Sequence, residues 1–422
     1  MRATGNWAQG RKVTVIGAGI IGISSALNLQ RAGFDVTVID KEPPGEGASS
    51  GNAGIMAPCA FVPVPTPGIV WKAPGMLLDP MGPLSVRWSY LPRMLPWLMR
   101  YLRNSSAKRV EKIAAALATL ADGAVEEHQA LANGSDAEQW LRPATYAYVY
   151  ESEEDFKKES FTWNLRRKHG IKINILRNGE VQDMEPSIGA AYKFAITLDH
   201  HGYVRDPEQL VKSLARELKR AGGHVLHRKV RDIEIGPEGP TQLVTDQGNL
   251  DLDILVVAAG AWSGKLASRL GSPVPLETER GYHVVLTDPG ISPKVAIMSS
   301  KGKFVATPMT MGLRIAGLVE FGGLEAPPNY ACARTLLKHA ELLFPGVNTK
   351  DFTEWMGHRP ALPDSLPVIG RSPHFENVYF AFGHQHIGLS TGPKTGRLIA
   401  DLVSGRTPNI DIDPFGVERF NS

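Results

Sequence analysis

VIGAGIIG, residues 15–22, stands between a strand-like apolar run and a helical one, and its reading decides the fold. Residues 13–16 read as a buried strand, 23–32 carry apolar side chains at helical spacing, and 36–39 read as a second strand. The chain therefore opens with a βαβ unit. Gly17, Gly19 and Gly22 form G-x-G-x-x-G at the strand-to-helix turn. The first glycine permits the tight turn, the second lets a pyrophosphate approach the backbone, and the third allows the helix to pack closely on the strand. Asp40 closes the second strand 23 residues after Gly17, where a carboxylate accepts hydrogen bonds from a free ribose hydroxyl. Together these predict a dinucleotide site, with FAD and a nicotinamide cofactor both open at this point.

Working outward, the 422 residues are 43% hydrophobic, enough to bury a sizeable core in two connected domains. Lys plus Arg number 46 against 43 Asp plus Glu, and a net charge of +3 argues against a nucleic-acid surface. Cys59 and Cys332 make neither a disulfide framework nor a metal-ligand spacing, so free thiols, no metal and a cytoplasmic location are expected. Residues 1–10 lack a signal-peptide apolar stretch, and no uninterrupted apolar run is long enough to span a bilayer. The segment WSYLPRMLPWLMRYL, residues 88–102, mixes aromatics, Leu and Met with Arg93 and Arg100. It reads as a helix packed on the second domain, with a peripheral contact at the inner face of the membrane as the other reading.

Residues 42–68 are too broken for regular structure and too far inside the chain for a linker, so they read as a functional loop. Helical spacing follows at 107–131 and a strand at 140–150. Asp206 and Pro207 suit the N-cap and first position of a helix running to Gly222. LDILVVAA, residues 252–259, reads as a buried parallel strand that returns to the first sheet. Residues 281–321 are strand-rich and belong to a separate sheet, 378–382 are a strand and 389–402 a helix. The expected architecture is mixed α/β and α+β. A Rossmann-type FAD-binding domain comprises residues 11–90, 200–270 and 350–422, and a substrate domain on a mainly antiparallel sheet comprises 91–199 and 271–349.

Three further segments favour a flavin over NAD. GASSGNAG, residues 47–54, offers small residues and side-chain donors that suit a backbone running along phosphates and an isoalloxazine edge. Residues 258–263 make another tight crossing after the buried strand, and 382–388 form a glycine loop aimed at the last helix, whose amides suit negative charge at the flavin N1/O2 locus.

VIGAGIIG, VTVIDKEPPGEGASSGNAG (36–54), VVAAGAWS (256–263), RGYHV (280–284), HRPALPDSLPVIGR (358–371) and AFGHQHIG (381–388) resemble the D-amino-acid oxidase and glycine oxidase superfamily over nearly the whole chain. They are most similar to its bacterial D-amino-acid dehydrogenase branch. PPGEGAS, LLDPMGPLS, TERGYH, GKFVATPM and PDSLPVIGR resemble the glyphosate oxidoreductase-like subgroup. The resemblance implies non-covalent FAD held at Gly17, Gly19, Ile20, Ile21, Gly22, Asp40 and Lys41, at Ala48, Ser49, Ser50, Asn52, Ala53 and Gly54, at Val230, and at Ala259, Gly260 and Trp262. The C-terminal loop adds Gly383, His384, Ile387 and Gly388. It also implies hydride transfer from an amino-acid Cα to flavin N5, followed by imine hydrolysis, with oxygen or a quinone as electron acceptor. A D-amino acid, a cyclic imino acid such as D-proline or hydroxyproline, and an N-substituted glycine are the substrates considered.

Such chemistry needs anchors rather than a covalent nucleophile. Arg359, in the Gly-x-Arg-Pro element, is the expected partner of a substrate carboxylate, against a structural arginine between domains. Tyr282 is expected to add a phenol hydrogen bond, against core packing, with His283 on the opposite strand face. His384 and His386, and after them His358, are candidates for taking the amine proton or meeting an anion, with a near-neutral pKa. The family arginine expected after Pro308 is replaced by Met309. Arg314 substitutes only if its strand turns it inward; otherwise Met309 and Met311 line an apolar wall. Two other readings remain open: a flavin electron-transfer subunit of a larger complex, and an NAD-dependent dehydrogenase.

Overall fold

The computed structural model describes residues 10–79 and 81–420. The expectation for the first ten residues therefore falls almost wholly outside the described chain. The opening βαβ unit is present as strand Lys12–Ile16, helix Ile20–Arg31 and strand Asp35–Asp40. The first two strands to pair with Lys12–Ile16 are Asp35–Asp40 on one side and Ile254–Val257 on the other, both parallel. Val378–Phe382 adds parallel to Ile254–Val257, His224–His227 adds parallel to Asp35–Asp40, and Val368–Arg371 closes one edge antiparallel. The central strands are near-continuous apolar runs because helices cover the sheet.

The last helix, Gly388–Val403, packs on the first at Gly396, where a Cβ would lie 2.4 Å from the Ser24 backbone. A glycine there lets the two helices touch, which ties the C-terminus to the N-terminal nucleotide unit. Helix Pro207–Arg220 starts as expected, with Asp206 accepting a hydrogen bond from the Gln209 amide at 3.0 Å. The helical stretch after residue 107 is two helices, Ala107–Ala121 and Ala124–Ala132, interrupted at Gly123, which has a φ of +66°.

The second sheet has ten strands and is mainly antiparallel. Its path runs from Phe352–Ala361 through Glu277–Leu286, Gly312–Phe321, Phe304–Met309, Ala296–Ser299 and Leu141–Tyr150 to Phe194–Val204 and Ile55–Met56. Three pieces expected with the nucleotide segments belong here, one of them Leu84–Val86, which pairs with Gly312–Phe321. Phe352–Ala361 pairs with Glu277–Leu286 over its whole length, and Ile55–Met56 pairs with Phe194–Val204. These pairings are non-local, so local pattern could not show them. One face of the sheet is sealed by helix Tyr330–Leu343 over Tyr282, Val284, Leu286, Ile315 and Phe304. The opposite face is the floor of the site.

Segment 88–102 is the helix Leu91–Arg103, which packs Met94, Trp97 and Tyr101 against Phe321 and Ala361. Helix Ile69–Leu78, unsignalled in the sequence by any clean period, packs against strand Leu84–Val86.

Candidate active site

A cavity of about 1680 Å³ runs between the two sheets, lined by Gly17 and Asp40 of the nucleotide unit and by Arg359 and Arg166. Drug-sized ligands occupy pockets of roughly 300–1,000 Å³. A space this large takes a dinucleotide and a substrate together.

The glycine turn has the backbone geometry that its three expected tasks require. Gly17 has a φ of +116°, and a Cβ there would lie 2.3 Å from the Ala258 carbonyl oxygen, so the turn and the strand crossing both require glycine. A Cβ on Gly22 would lie 1.9 Å from the Gly17 oxygen, which fixes the helix on the strand. Gly19 instead faces Ser49 and the cavity, leaving the backbone approachable. Ser49 Oγ accepts from the Ile20 amide at 2.9 Å, and Asp40 accepts from the amides of Ala18 at 2.7 Å and Glu42 at 3.0 Å. The cradle is thus held open before any ligand arrives. Asp40 keeps further lone pairs for a ribose hydroxyl.

Lys41 stands 4.5 Å over the Trp262 ring, which meets His358 edge-on. Ala48, Asn52, Ala53, Gly54, Val230, Ala259 and Gly260 also border the cavity. Gly383, His384 and Gly388 bring the last helix to it N-terminus first. Three expected cofactor residues do not face the cavity. Gly22 packs helix on strand, Ser50 turns its hydroxyl to the Gly47 carbonyl at 3.1 Å, and Ile387 is core at 3% exposure. A motif marks a stretch of chain, and which of its side chains face inward depends on local torsion.

The loop at 47–54 is docked on the sheet by residues the sequence analysis ranked low. His283 donates from Nδ1 to the Gly51 carbonyl at 2.9 Å and stacks on Trp355 at 5.1 Å; a Cβ on Gly51 would lie 2.2 Å from that indole. Arg314 does turn to this face, yet it reaches the loop rather than the cavity: its Nη1 donates to the carbonyls of Ser50 and Asn52, both at 2.8 Å. Burial pushes its pKa down to about 10, so it stays cationic at neutral pH. Arg314 is therefore not a substrate anchor. Met309 tucks against Gly54, and neither it nor Met311 lines the cavity. The expected two-methionine wall is corrected to one built from Met298, Val305, Leu98 and Phe321.

For Tyr282 the hydroxyl takes the core-packing alternative. Strand alternation points it to the sealed face, where it is 1% exposed; its hydroxyl donates to Glu320 and accepts from the Asn329 amide. Tyr282 still borders the cavity, but its hydroxyl is engaged in the core, while His283 faces the other side of the strand, is held against the 47–54 loop and does not border the cavity.

Arg359 does face the cavity. Its side chain lies across Gly281, where a Cβ would be 2.3 Å from Nη2, and its Nη1 and Nη2 donate to the carbonyls of Leu318 at 2.8 Å and Gly317 at 3.3 Å. Two hydrogen bonds fix the plane of the guanidinium and leave donors for a ligand. Glu279, missed by the sequence analysis, lies beside it, and burial raises its pKa to about 7 despite the opposing charge of Arg359. The histidines are not near neutrality. Burial pushes His384 down to about 3 and His386 and His358 to about 4, with the charge of Arg359 adding to the effect at His386. They are neutral imidazoles at pH 7 and can accept, but not balance, a charge. His384 Nε2 already meets Thr395 Oγ1 at 3.1 Å, whereas His386 turns its surface into the enclosed cavity. Among the described residues no cluster could hold a metal ion.

A Rossmann-type cradle opening onto a sheet-floored cavity with a fixed arginine defines a two-domain dinucleotide-dependent oxidoreductase. Residues 12–402 match the DAO family of FAD dependent oxidoreductases, and the chain belongs to that family. It is 39% identical over 98% of its length to a D-amino-acid oxidase of Bradyrhizobium diazoefficiens, 99% of which is covered. It is 30% identical over 97% of its length to a D-amino acid dehydrogenase of Paramagnetospirillum magneticum, again covering 99% of that protein. Among solved structures, glycine oxidase from Geobacillus kaustophilus aligns with a TM-score of 0.72 at 22% identity, over 97% of this chain and 99% of that one. Iminodiacetate oxidase from Chelativorans sp. BNC1 aligns with a TM-score of 0.70 at 21% identity, over 96% and 98%. Likeness at such identities concerns the fold. FAD is the family's cofactor, and the glycine cradle, Asp40 and the inward-pointing last helix fit it.

Proposed function

We propose that the chain oxidises the carbon–nitrogen bond of an amino acid, with the substrate carboxylate on Arg359. The observation that carries this reading is the Arg359 guanidinium itself: oriented by two backbone carbonyls, over a glycine, on the wall of the cavity that the dinucleotide cradle also lines. Guanidinium and carboxylate pair through two parallel hydrogen bonds, which fixes position as well as charge. Bound FAD supplies the two-electron acceptor for the substrate's Cα hydride. The protein's share is to orient the substrate, keep it dry between sheet and loop, and offer the neutral imidazole of His386 to an amine proton. The names of the two relatives support an amino-acid substrate, and D-amino acids, cyclic imino acids and N-substituted glycines are the classes to compare. Anaerobic addition of each to the purified holoenzyme should bleach the flavin with at least one. Bleaching without partner proteins also removes the electron-transfer-subunit reading, and no bleaching with any of them overturns amine oxidation.

We further infer a peripheral contact with an anionic lipid surface. Val64, Val70, Trp71, Leu78, Trp88, Leu95 and Met99 are the exposed large apolar residues of one short stretch, Trp71 at 87% and Leu78 at 83%, with Arg93, Arg100 and Arg103 exposed among them. Apolar insertion and basic attraction are the two components of such binding. Among the described residues no helix is long and apolar enough to cross a membrane.

A further inference from the structure

Arg166, on helix Ser160–Lys168, reaches the same cavity from the far end of the sheet floor. Its guanidinium carbon lies 4.6 Å from the Trp163 ring centre and 5.4 Å from that of Tyr148, while Nε donates to the Cys59 carbonyl at 3.2 Å. Trp163 is itself locked, donating from Nε1 to the Tyr150 hydroxyl at 2.8 Å and meeting Tyr148 edge-on. The cation is thus held in one place by aromatic faces. Among the described residues no carboxylate forms an ion pair with it. Glu159, whose charge reaches it, is already held by Lys303, Tyr150 and Ser300. An enclosed guanidinium with its terminal nitrogens left to a ligand cavity carries a desolvation cost that an incoming anion would offset.

The sheet register sets the supports of the two arginines apart. Tyr148, Met298, Val305 and Ala316 are successive cross-strand partners along the floor. Arg359 hydrogen-bonds to the carbonyls of residues 317 and 318, next along the Ala316 strand. Three strand spacings of about 4.8 Å put the strand that carries Tyr148, beneath Arg166, about 14 Å from the strand whose carbonyls hold Arg359.

We propose that Arg166 is a second anion anchor, which selects amino-acid substrates carrying a further carboxylate on the side chain or N-substituent. It does from the helix what no arginine does at Met309. The proposal rests on Arg359 taking the first carboxylate, but its test needs no turnover. Glutarate and butyrate, unreactive acids differing by the second carboxylate, are titrated into holoenzyme and followed by the shift in the flavin absorbance spectrum. Glutarate should bind on the order of tenfold tighter or more, as expected for a desolvated charge-assisted pair. In Arg166→Gln that advantage should disappear, and in Arg166→Lys it should be reduced but present, with unfolding temperatures showing both variants folded. Equal binding of the two acids by the wild type overturns the proposal even if a variant does not fold, and so does an advantage that survives Arg166→Gln. Failure of amine oxidation would show instead as absent flavin bleaching, while the glutarate preference persisted.

Discussion

Glu279 stands directly across from Arg359 on neighbouring antiparallel strands, on the cavity side of the large sheet, with Gly281 beneath the guanidinium. The pair is close enough for each charge to act on the other, and Glu279 is still held near pH 7 because burial outweighs the arginine. Its carboxyl binds a proton more tightly in the folded chain than in the unfolded one. The stability it confers is therefore complete below pH 4.5 and is lost as pH rises through about 7. Glu279→Gln should flatten this part of the stability profile and gain up to about 3 kcal/mol over the wild type at pH 8. Denaturant midpoints at pH 5, 6, 7 and 8 measure it; parallel profiles would remove Glu279 as the titrating group.

Arg359→Met keeps length and removes charge. We expect kcat/KM on amino acids to fall by about 3 kcal/mol, on the order of a hundredfold, carried largely by KM. Flavin content should be retained, since the guanidinium is held by the Leu318 and Gly317 carbonyls and not by the glycine cradle. A loss of flavin with unchanged KM would make Arg359 a structural residue.

Gly22→Ala forces a Cβ toward the Gly17 oxygen, which lies 1.9 Å from the ideal Cβ position. Helix and strand must separate, at about 1–3 kcal/mol or more for overpacking. The purified variant should be less stable and carry less FAD, read from its absorbance at the flavin band.

Arg314→Met removes the donor shared by the Ser50 and Asn52 carbonyls. Leaving buried carbonyls unpaired costs about 1–3 kcal/mol. The expected signature is faster proteolysis in loop 47–54 and weaker FAD retention, with KM for substrate little changed in the fraction that keeps FAD.

Replacing Trp71, Leu78 and Trp88 by Ser should reduce sedimentation with phosphatidylserine-containing vesicles and leave flavin bleaching in solution as it was. High salt should weaken the wild-type interaction by screening Arg93, Arg100 and Arg103. Equal sedimentation of wild type and variant would remove the lipid surface as partner.

The sequence by itself determined the nucleotide half. Gly17, Gly19, Gly22 and Asp40 act within a contiguous stretch, where turn geometry and helix packing are local and leave a readable pattern. Arg359 was also legible, through the short motif around it. The substrate half was decided only by tertiary structure. The Tyr282 hydroxyl is engaged by Glu320 and Asn329, and His283 holds the 47–54 loop at Gly51, partners that lie far away in the chain. Arg314 became a strut because the loop at residues 50–52 folds back over its strand. Glu279 and Arg166 became visible only once non-local strands and a distant helix enclosed them. Cross-strand register and burial are properties of pairs far apart in the chain, so no local spacing encodes them.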